Sequence, residues 1–154
     1  MKRKIRIALA GNANVGKSVI FNYLTGMNQH TGNWPGKTVE RAEGRLHFRG
    51  FDVHIIDLPG IYSLSTFSMV EFNVPLVMAL NQTDMAEKKG MKTDVRKLSS
   101  ILGFPVVPTV AVSGSGVYEL LEKAIEVATG KRKTKSARIR YSDYVEGMLN
   151  RVVS

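Results

Sequence analysis

Ile5-Arg6-Ile7-Ala8-Leu9-Ala10, followed at once by Gly11-Asn12-Ala13-Asn14-Val15-Gly16-Lys17-Ser18, is the stretch on which the fold turns. The first six residues read as a short buried strand. The next eight satisfy G-x-x-x-x-G-K-[ST], and Ser18 to Leu24 carries a helical pattern that Gly26 stops. A glycine-rich loop between a strand and a helix is built for phosphate. Gly11 and Gly16 let the backbone curl, with Asn12, Ala13, Asn14 and Val15 between them, so that N–H groups face a β-phosphate. The helix beginning near Lys17 adds the positive end of its dipole. Lys17 supplies a point charge to the β- and γ-phosphates, and the Ser18 hydroxyl is a Mg²⁺ ligand.

Working outward, Arg41–Phe48 and Phe51–Asp57 read as two strands joined by a tight turn at Arg49-Gly50, after a loop from Gly32 to Gly36. Val74–Leu80 is a continuous apolar run, the pattern of a strand buried on both faces. Val95, Leu98, Ile101 and Leu102 share a helical face, with Thr93 as N-cap and Gly103 as stop. Val106 opens a strand that reaches Val112, and Val117 to Ala128 is a further helix ending near Gly130. Strand and helix alternate, so the expected fold is α/β. It is a P-loop NTPase with a mostly parallel sheet, flanking helices and one antiparallel edge hairpin. In such a sheet the ligand sits at the carboxyl ends of the strands.

The bulk properties agree. The 154 residues are 44% hydrophobic and 23% charged, which argues against disorder. With no cysteine there is no disulfide framework or thiolate metal site, and a reducing compartment is expected. No apolar run of about 18 residues exists to span a membrane, and the basic Met1-Lys2-Arg3-Lys4 start lacks a signal peptide's apolar region. The expected setting is a soluble, cytosolic domain. The formal charge of +9 favours anionic partners, and Lys131 to Arg140 alone holds six positive side chains, read as a solvated linker.

Three further motifs follow the phosphate loop in order. Asp57-Leu58-Pro59-Gly60 ends a strand; Asp57 would hold Mg²⁺ through water, and the Gly60 N–H would contact the γ-phosphate. Asn81-Gln82-Thr83-Asp84 follows the buried run, and a carboxylate at Asp84 accepts from N1–H and the exocyclic amine of guanine, which adenine cannot offer. Ala111-Val112-Ser113 closes the next strand and could offer backbone N–H groups to the guanine oxygen. Thr38 lies where a mobile loop could bring its hydroxyl to Mg²⁺. Four spaced elements in this order predict a GTP-binding domain.

On these residues the chain resembles the Ras-like, translation-factor-related GTPases, and within them the N-terminal G domains of the FeoB ferrous iron transport proteins. Gly32-Asn33-Trp34-Pro35-Gly36-Lys37-Thr38-Val39-Glu40-Arg41, running into Glu43-Gly44, is similar to the family's first switch, and Asp57 to Leu64 is similar to its second. The resemblance covers nearly all of residues 4–130. It implies a GTPase that places Gly36, Lys37 and Thr38 against the nucleotide. It also implies a helical spacer leading to a polytopic membrane domain that imports Fe²⁺, at the cytoplasmic face of the cell membrane. The expected organisation is a G domain over 1–130, a basic linker over 131–140 and the start of the spacer over 141–154. Homo-oligomerisation is left open.

The chain departs from the family pattern in three places. Gln82 stands where most GTPases have Lys, and Ala111 where Ser is commoner; both fit weaker nucleotide binding with guanine preference kept. Asp57 and Asn81 are only 24 positions apart, too few for the strand and helix that the family carries between these motifs. A stretch is therefore expected to be missing between Ser68 and Met69.

Many GTPases place a Gln after D-x-x-G to orient the attacking water. Ile61 stands there, so slow turnover is expected, with Lys17, Thr38, Gly60 and Asn14 as the catalytic set. Related GTPases with Asn at the position of Asn14 and no catalytic Gln use K⁺, and the resemblance implies the same, with carbonyls near Asn33 and Trp34 completing the shell. A fixed cation there stabilises the charge that develops toward the β–γ bridge. Two rival readings are an RNA- or ribosome-associated GTPase, which +9 would suit but for the absence of any nucleic-acid module, and a nucleotide sensor with incidental hydrolysis. His30, His47 and His54 are scattered and predict no Fe²⁺ site.

Overall fold

Alternating apolar residues in the first strand and in the Arg49-Gly50 hairpin set the architecture. The computed structural model describes residues 3–12, 14–26, 29–33, 40–58 and 75–134. Strand β1 (Arg3–Leu9) leads into helix α1 (Lys17–Thr25), then β2 (Gln29–Asn33), β3 (Glu40–Phe48) and β4 (Phe51–Asp57). After them come β5 (Met78–Leu80), α2 (Thr83–Lys88), α3 (Val95–Leu102), β6 (Val106–Pro108), a 3₁₀ turn (Ala111–Ser113) and α4 (Val117–Ala128).

Two sheets result. One has the order β1-β4-β3-β2, with β1 parallel to β4 and the β2–β3 and β3–β4 ladders antiparallel; the other is the parallel pair β5-β6. Turn residues Arg49 and Gly50 both have positive φ, 46° and 82°, which suits the two-residue hairpin turn. One core serves both sheets. Ile20, Phe21 and Leu24 of α1, Val53 and Ile55 of β4, Val107 of β6 and Val117, Leu120, Leu121 and Ile125 of α4 form it. Ile5, Ile7 and Leu9 of β1 pack against it, as do Val77 and Ala79 at β5.

The structure corrects the sequence reading at five places. Gly32 and Asn33 belong to strand β2, since antiparallel pairing with β3 recruits a segment with weak strand propensity. Strand β5 spans only Met78–Leu80, and all three residues are half-buried. Pro75 cannot donate to a ladder, and only one edge of β5 is paired among the described residues. Strand β6 spans only Val106–Pro108, with one last bond from the Thr109 N–H to the Leu80 carbonyl, and Ala111–Ser113 is a 3₁₀ turn. The N-cap of α3 is Asp94, whose carboxylate accepts from the Lys97 N–H at 3.0 Å, not Thr93. Helix α2 was hidden inside what reads as an Asn/Asp turn. The 68/69 junction, the residues of the spacer over 141–154 and most of the basic linker lie outside the described residues.

Candidate functional site

Contacts join the loops after β1, β4 and β5, and bring together Val15, Lys17, Asp57, Asn81 and Ala111 of the predicted residues. Gly16 caps α1 at φ 87°, a left-handed conformation; a Cβ on it would collide with the Asn81 side-chain amide. The loop ahead of it passes through Asn14, at φ 64°, a conformation that Asn tolerates better than most residues. Asn14 is exposed and its side chain makes no hydrogen bond among the described residues. Gly11 is half-buried, Asn12 exposed, and Ala13 lies outside the described residues. Ser18 sits exposed in the first turn of α1.

Lys17 reaches across the site. Its ammonium pairs with the Asp57 carboxylate and donates to the Leu58 carbonyl at 2.5 Å, with the two side chains only 12% and 14% exposed. Asp57 is held in place because the Leu58 N–H donates to the Leu9 carbonyl at 3.0 Å, which extends the β1–β4 ladder by one bond.

Asn81 is a clamp. Its Nδ2 donates to the Val15 carbonyl at 3.0 Å, while its Oδ1 accepts from the Ala111 N–H at 3.0 Å and from the Thr109 hydroxyl at 3.2 Å. One side chain thus ties the phosphate loop to the end of β6. Gln82 takes a left-handed φ of 60° and starts α2, which puts Asp84 in the helix's first turn, half-buried. Of the three backbone donors expected at 111–113, Ala111 N–H is committed to Asn81 and Ser113 N–H to the Val110 carbonyl at 3.1 Å. Val112, 83% exposed, keeps its N–H without a partner among the described residues.

Thr109 was missed by the sequence reading. It is 1% exposed, its N–H donates to the Leu80 carbonyl at 2.8 Å, and its carbonyl accepts from the Thr83 N–H and hydroxyl at 3.4 and 3.3 Å. Its signal was a lone hydroxyl inside the apolar run Val106–Val112. Trp34, Gly36, Lys37, Thr38 and Gly60 lie outside the described residues, as does the Asn33 side chain. His47 and His54 sit on β3 and β4, beside Asp52 and Glu43.

Ser18 and Asp57 offer one hydroxyl and one carboxylate, a hard-oxygen pair that suits Mg²⁺ when phosphates and water complete its shell. No cluster of three or more His, Cys, Asp or Glu forms an alternative metal site among the described residues. A separate cavity at the opposite edge, lined by Phe48, Arg49, Phe51, Glu122 and Ile125 among others, touches none of the motif residues.

The strand–loop–helix with its paired Lys and Asp, clamped to a second loop by Asn81, defines a P-loop nucleotide-binding domain of the G-domain class. The profile described as ferrous iron transport protein B matches residues 5–71 and 66–124, and the chain belongs to that family, in its N-terminal G domain. The Fe(2+) transporter FeoB of Salmonella typhimurium is 37% identical over 164 residues, covering 80% of this chain and 21% of that protein. The Fe(2+) transport protein A/Fe(2+) transporter FeoB fusion protein of Porphyromonas gingivalis is 36% identical over 180 residues, covering 92% and 21%. This chain therefore spans about a fifth of the length of these relatives. Among solved structures, the cytosolic domain of T. maritima FeoB in a GDP form superposes with a TM-score of 0.85 at 33% identity, covering 97% of this chain and 73% of that one. The L. pneumophila FeoB cytosolic domain gives 0.82 at 31%, covering 96% and 77%. No helix among the described residues is long and apolar enough to cross a membrane.

Proposed function

We propose that this chain binds GTP and hydrolyses it slowly, as the nucleotide-responsive domain of a ferrous iron transporter at the cytoplasmic face of the membrane. The observation that carries the reading is the Asn81 clamp, which ties a loop shaped for phosphate to the start of α2, whose first turn holds Asp84. The T. maritima domain in GDP and GMPPNP forms supports it. A helical spacer and a membrane domain in the same protein are the expected partners, and the full-length relatives support them.

Binding exchanges one pairing for others. The Lys17 ammonium leaves Asp57 for the β- and γ-phosphates, and the loop N–H groups from Asn12 to Lys17 wrap the β-phosphate. Ser18, Thr38 and Asp57 would hold Mg²⁺, which neutralises phosphate charge. Asp84 reads the guanine edge, and Gln82 and the Ala111–Ser113 turn flank the base, with the Val112 N–H as the donor left for the guanine oxygen. Gly36 and Lys37 bring Thr38 inward, and the Gly60 N–H meets the γ-phosphate. The Ile61 side chain can neither donate nor accept a hydrogen bond, so backbone groups or a group outside these residues must position the attacking water, and turnover is slow. Asn14, with carbonyls at Asn33 and Trp34, would hold a K⁺ ion that favours the charge developing at the β–γ bridge.

The test is competition against a fluorescent guanine nucleotide on the purified chain. GTP and GDP are expected to displace it and ATP to fail; equal displacement by ATP overturns the reading. The RNA-associated alternative has the +9 charge in its favour and is revived only by steeply salt-dependent RNA binding.

A further inference from the structure

Three elements end together at the pole of the fold away from Asp57. Strand register pairs Arg3 with Phe51 and Lys4 with Asp52, so the start of β1 lies beside the start of β4. The Arg49-Gly50 turn joins β3 to β4 at the same place. The residues after α4 return there too, since Phe48, Arg49, Phe51, Ile125, Lys131 and Arg132 line one cavity. The Arg132 N–H donates to the Glu126 carbonyl at 3.2 Å, which holds this segment against the last turns of α4.

The pole is strongly cationic. Arg3, Lys4, Arg49, Lys131, Arg132 and Lys133 are all exposed. The carboxylates beside them are already engaged: Asp52 with the His47 ring at 2.9 Å, Glu122 with the Arg49 guanidinium, and Glu126 with the Lys123 ammonium at 3.0 Å. These pairs neutralise only Arg49 among the six cations, so a positive field is left over for something outside the fold. The sequence goes on through Lys135, Arg138 and Arg140 and reaches no acid before Asp143. The cavity sets apolar lining beside the charge, with Phe48 and Phe51 half-buried in it.

We propose that this pole docks on the anionic phospholipid surface of a membrane. A Lys or Arg held near such a surface strengthens binding about fivefold, and several acting together give a stable attachment. Cations beside half-buried rings suit the headgroup layer, where negative charge stands over an apolar interior. A polynucleotide presents its phosphates along a line. Here the cations come from three elements gathered at one end, which matches a plane of charge instead. The choice of lipid rests on the membrane setting proposed above, and does not use the nucleotide reading. The seven residues of β4 separate the pole from Asp57 by about 20 Å of strand, so a docked domain keeps its phosphate loop open to nucleotide.

The test is sedimentation of the 154-residue chain with vesicles of phosphatidylcholine alone and of phosphatidylcholine with about one-third phosphatidylglycerol. Binding is expected only to the anionic vesicles, and it falls steeply as salt is added. Lys131→Gln, Arg132→Gln and Lys133→Gln together are expected to weaken it about a hundredfold. Lys88→Gln, Lys89→Gln and Lys92→Gln remove as much charge from exposed positions that follow the nucleotide end, and are expected to weaken it by less than about threefold. Equal binding to neutral vesicles, no binding to anionic ones, or equal losses from the two triple variants would each overturn the proposal. RNA binding without vesicle binding, lost in the Lys131–Lys133 variant, assigns the pole to nucleic acid instead. Should that variant fail to fold, as its thermal midpoint reports, Arg3→Gln with Lys4→Gln takes its place. A loss of about twentyfold is then expected, and an unchanged affinity overturns the proposal. Guanine nucleotide affinity of the same samples reports separately on the proposed nucleotide site.

Discussion

Lys17 and Asp57 hold each other across the mouth of the phosphate loop, and nucleotide binding has to part them. Removing Lys17 deletes a charge-assisted contact to phosphate worth about 1.5–3 kcal/mol, roughly ten- to a hundredfold in affinity. The parent must first break the pair with Asp57, so Lys17→Ala is expected at the lower end, and fluorescent-nucleotide titration measures it. An unchanged affinity would remove Lys17 from the site. The base is read elsewhere. Asp84→Asn reverses the polarity of the edge, so GTP is expected to weaken and xanthosine triphosphate to improve; identical preference in mutant and parent would detach Asp84 from the base. Asn14 carries the hydrolysis prediction: GTP turnover faster in K⁺ than in Na⁺ at equal ionic strength, with the stimulation lost in Asn14→Ala. Equal parent rates in the two salts would end the K⁺ assignment. The phosphate-loop and Asn81–Asp84 positions were legible because their spacing is itself the signal. Thr109 was not, because a single hydroxyl in an apolar run says nothing of the side chain it will meet.

At the level of elements, legibility followed how far each one depends on its own residues. Helix α4 was readable because Val117, Leu120, Leu121 and Ile125 repeat at helical spacing and all become buried. The hairpin of β3 and β4 was readable from its turn. Strand β2 was missed, its end being read as a loop, and β5 and β6 were misjudged in extent, since a strand's length depends on what lies beside it. Helix α3 is the case where a cap decides. It has eight residues and buries none of them, and isolated helices shorter than about 12–15 residues are marginal in water. Its Asp94 cap contributes about 0.5–2 kcal/mol. Asp94→Ala is therefore expected to raise amide exchange within Val95–Leu102 while leaving that of Val53 and Ile55 unchanged, and Thr93→Ala should do neither. Equal effects from both substitutions would return the cap to Thr93.

Among the described residues the chain forms two sheets on one core, and the proposed nucleotide site is the place where they are tied together. The phosphate loop belongs to the four-stranded sheet, Asp84 and the 111–113 turn follow the two-stranded one, and Asn81 spans them. A nucleotide touching both loops adds a second bridge, so binding should stabilise the two halves as a unit. At a GDP concentration of one hundred times its Kd, linkage adds about 2.7 kcal/mol, which for a chain of this size raises Tm by roughly 5–10 °C. Asn81→Ala should act on the same coupling. It leaves the buried Thr109 hydroxyl and the Ala111 N–H without their shared acceptor, at a cost of about 1–3 kcal/mol for each group so exposed to an empty site. It also frees the phosphate loop from β6. Thermal unfolding followed by amide exchange is then expected to separate, with the amides of Val106 and Val107 opening before those of Val53 and Ile55, whereas the parent with GDP opens them together. A mutant that loses stability but still opens both sheets at one temperature would show that the shared core, not the Asn81 clamp, makes the two sheets one cooperative body.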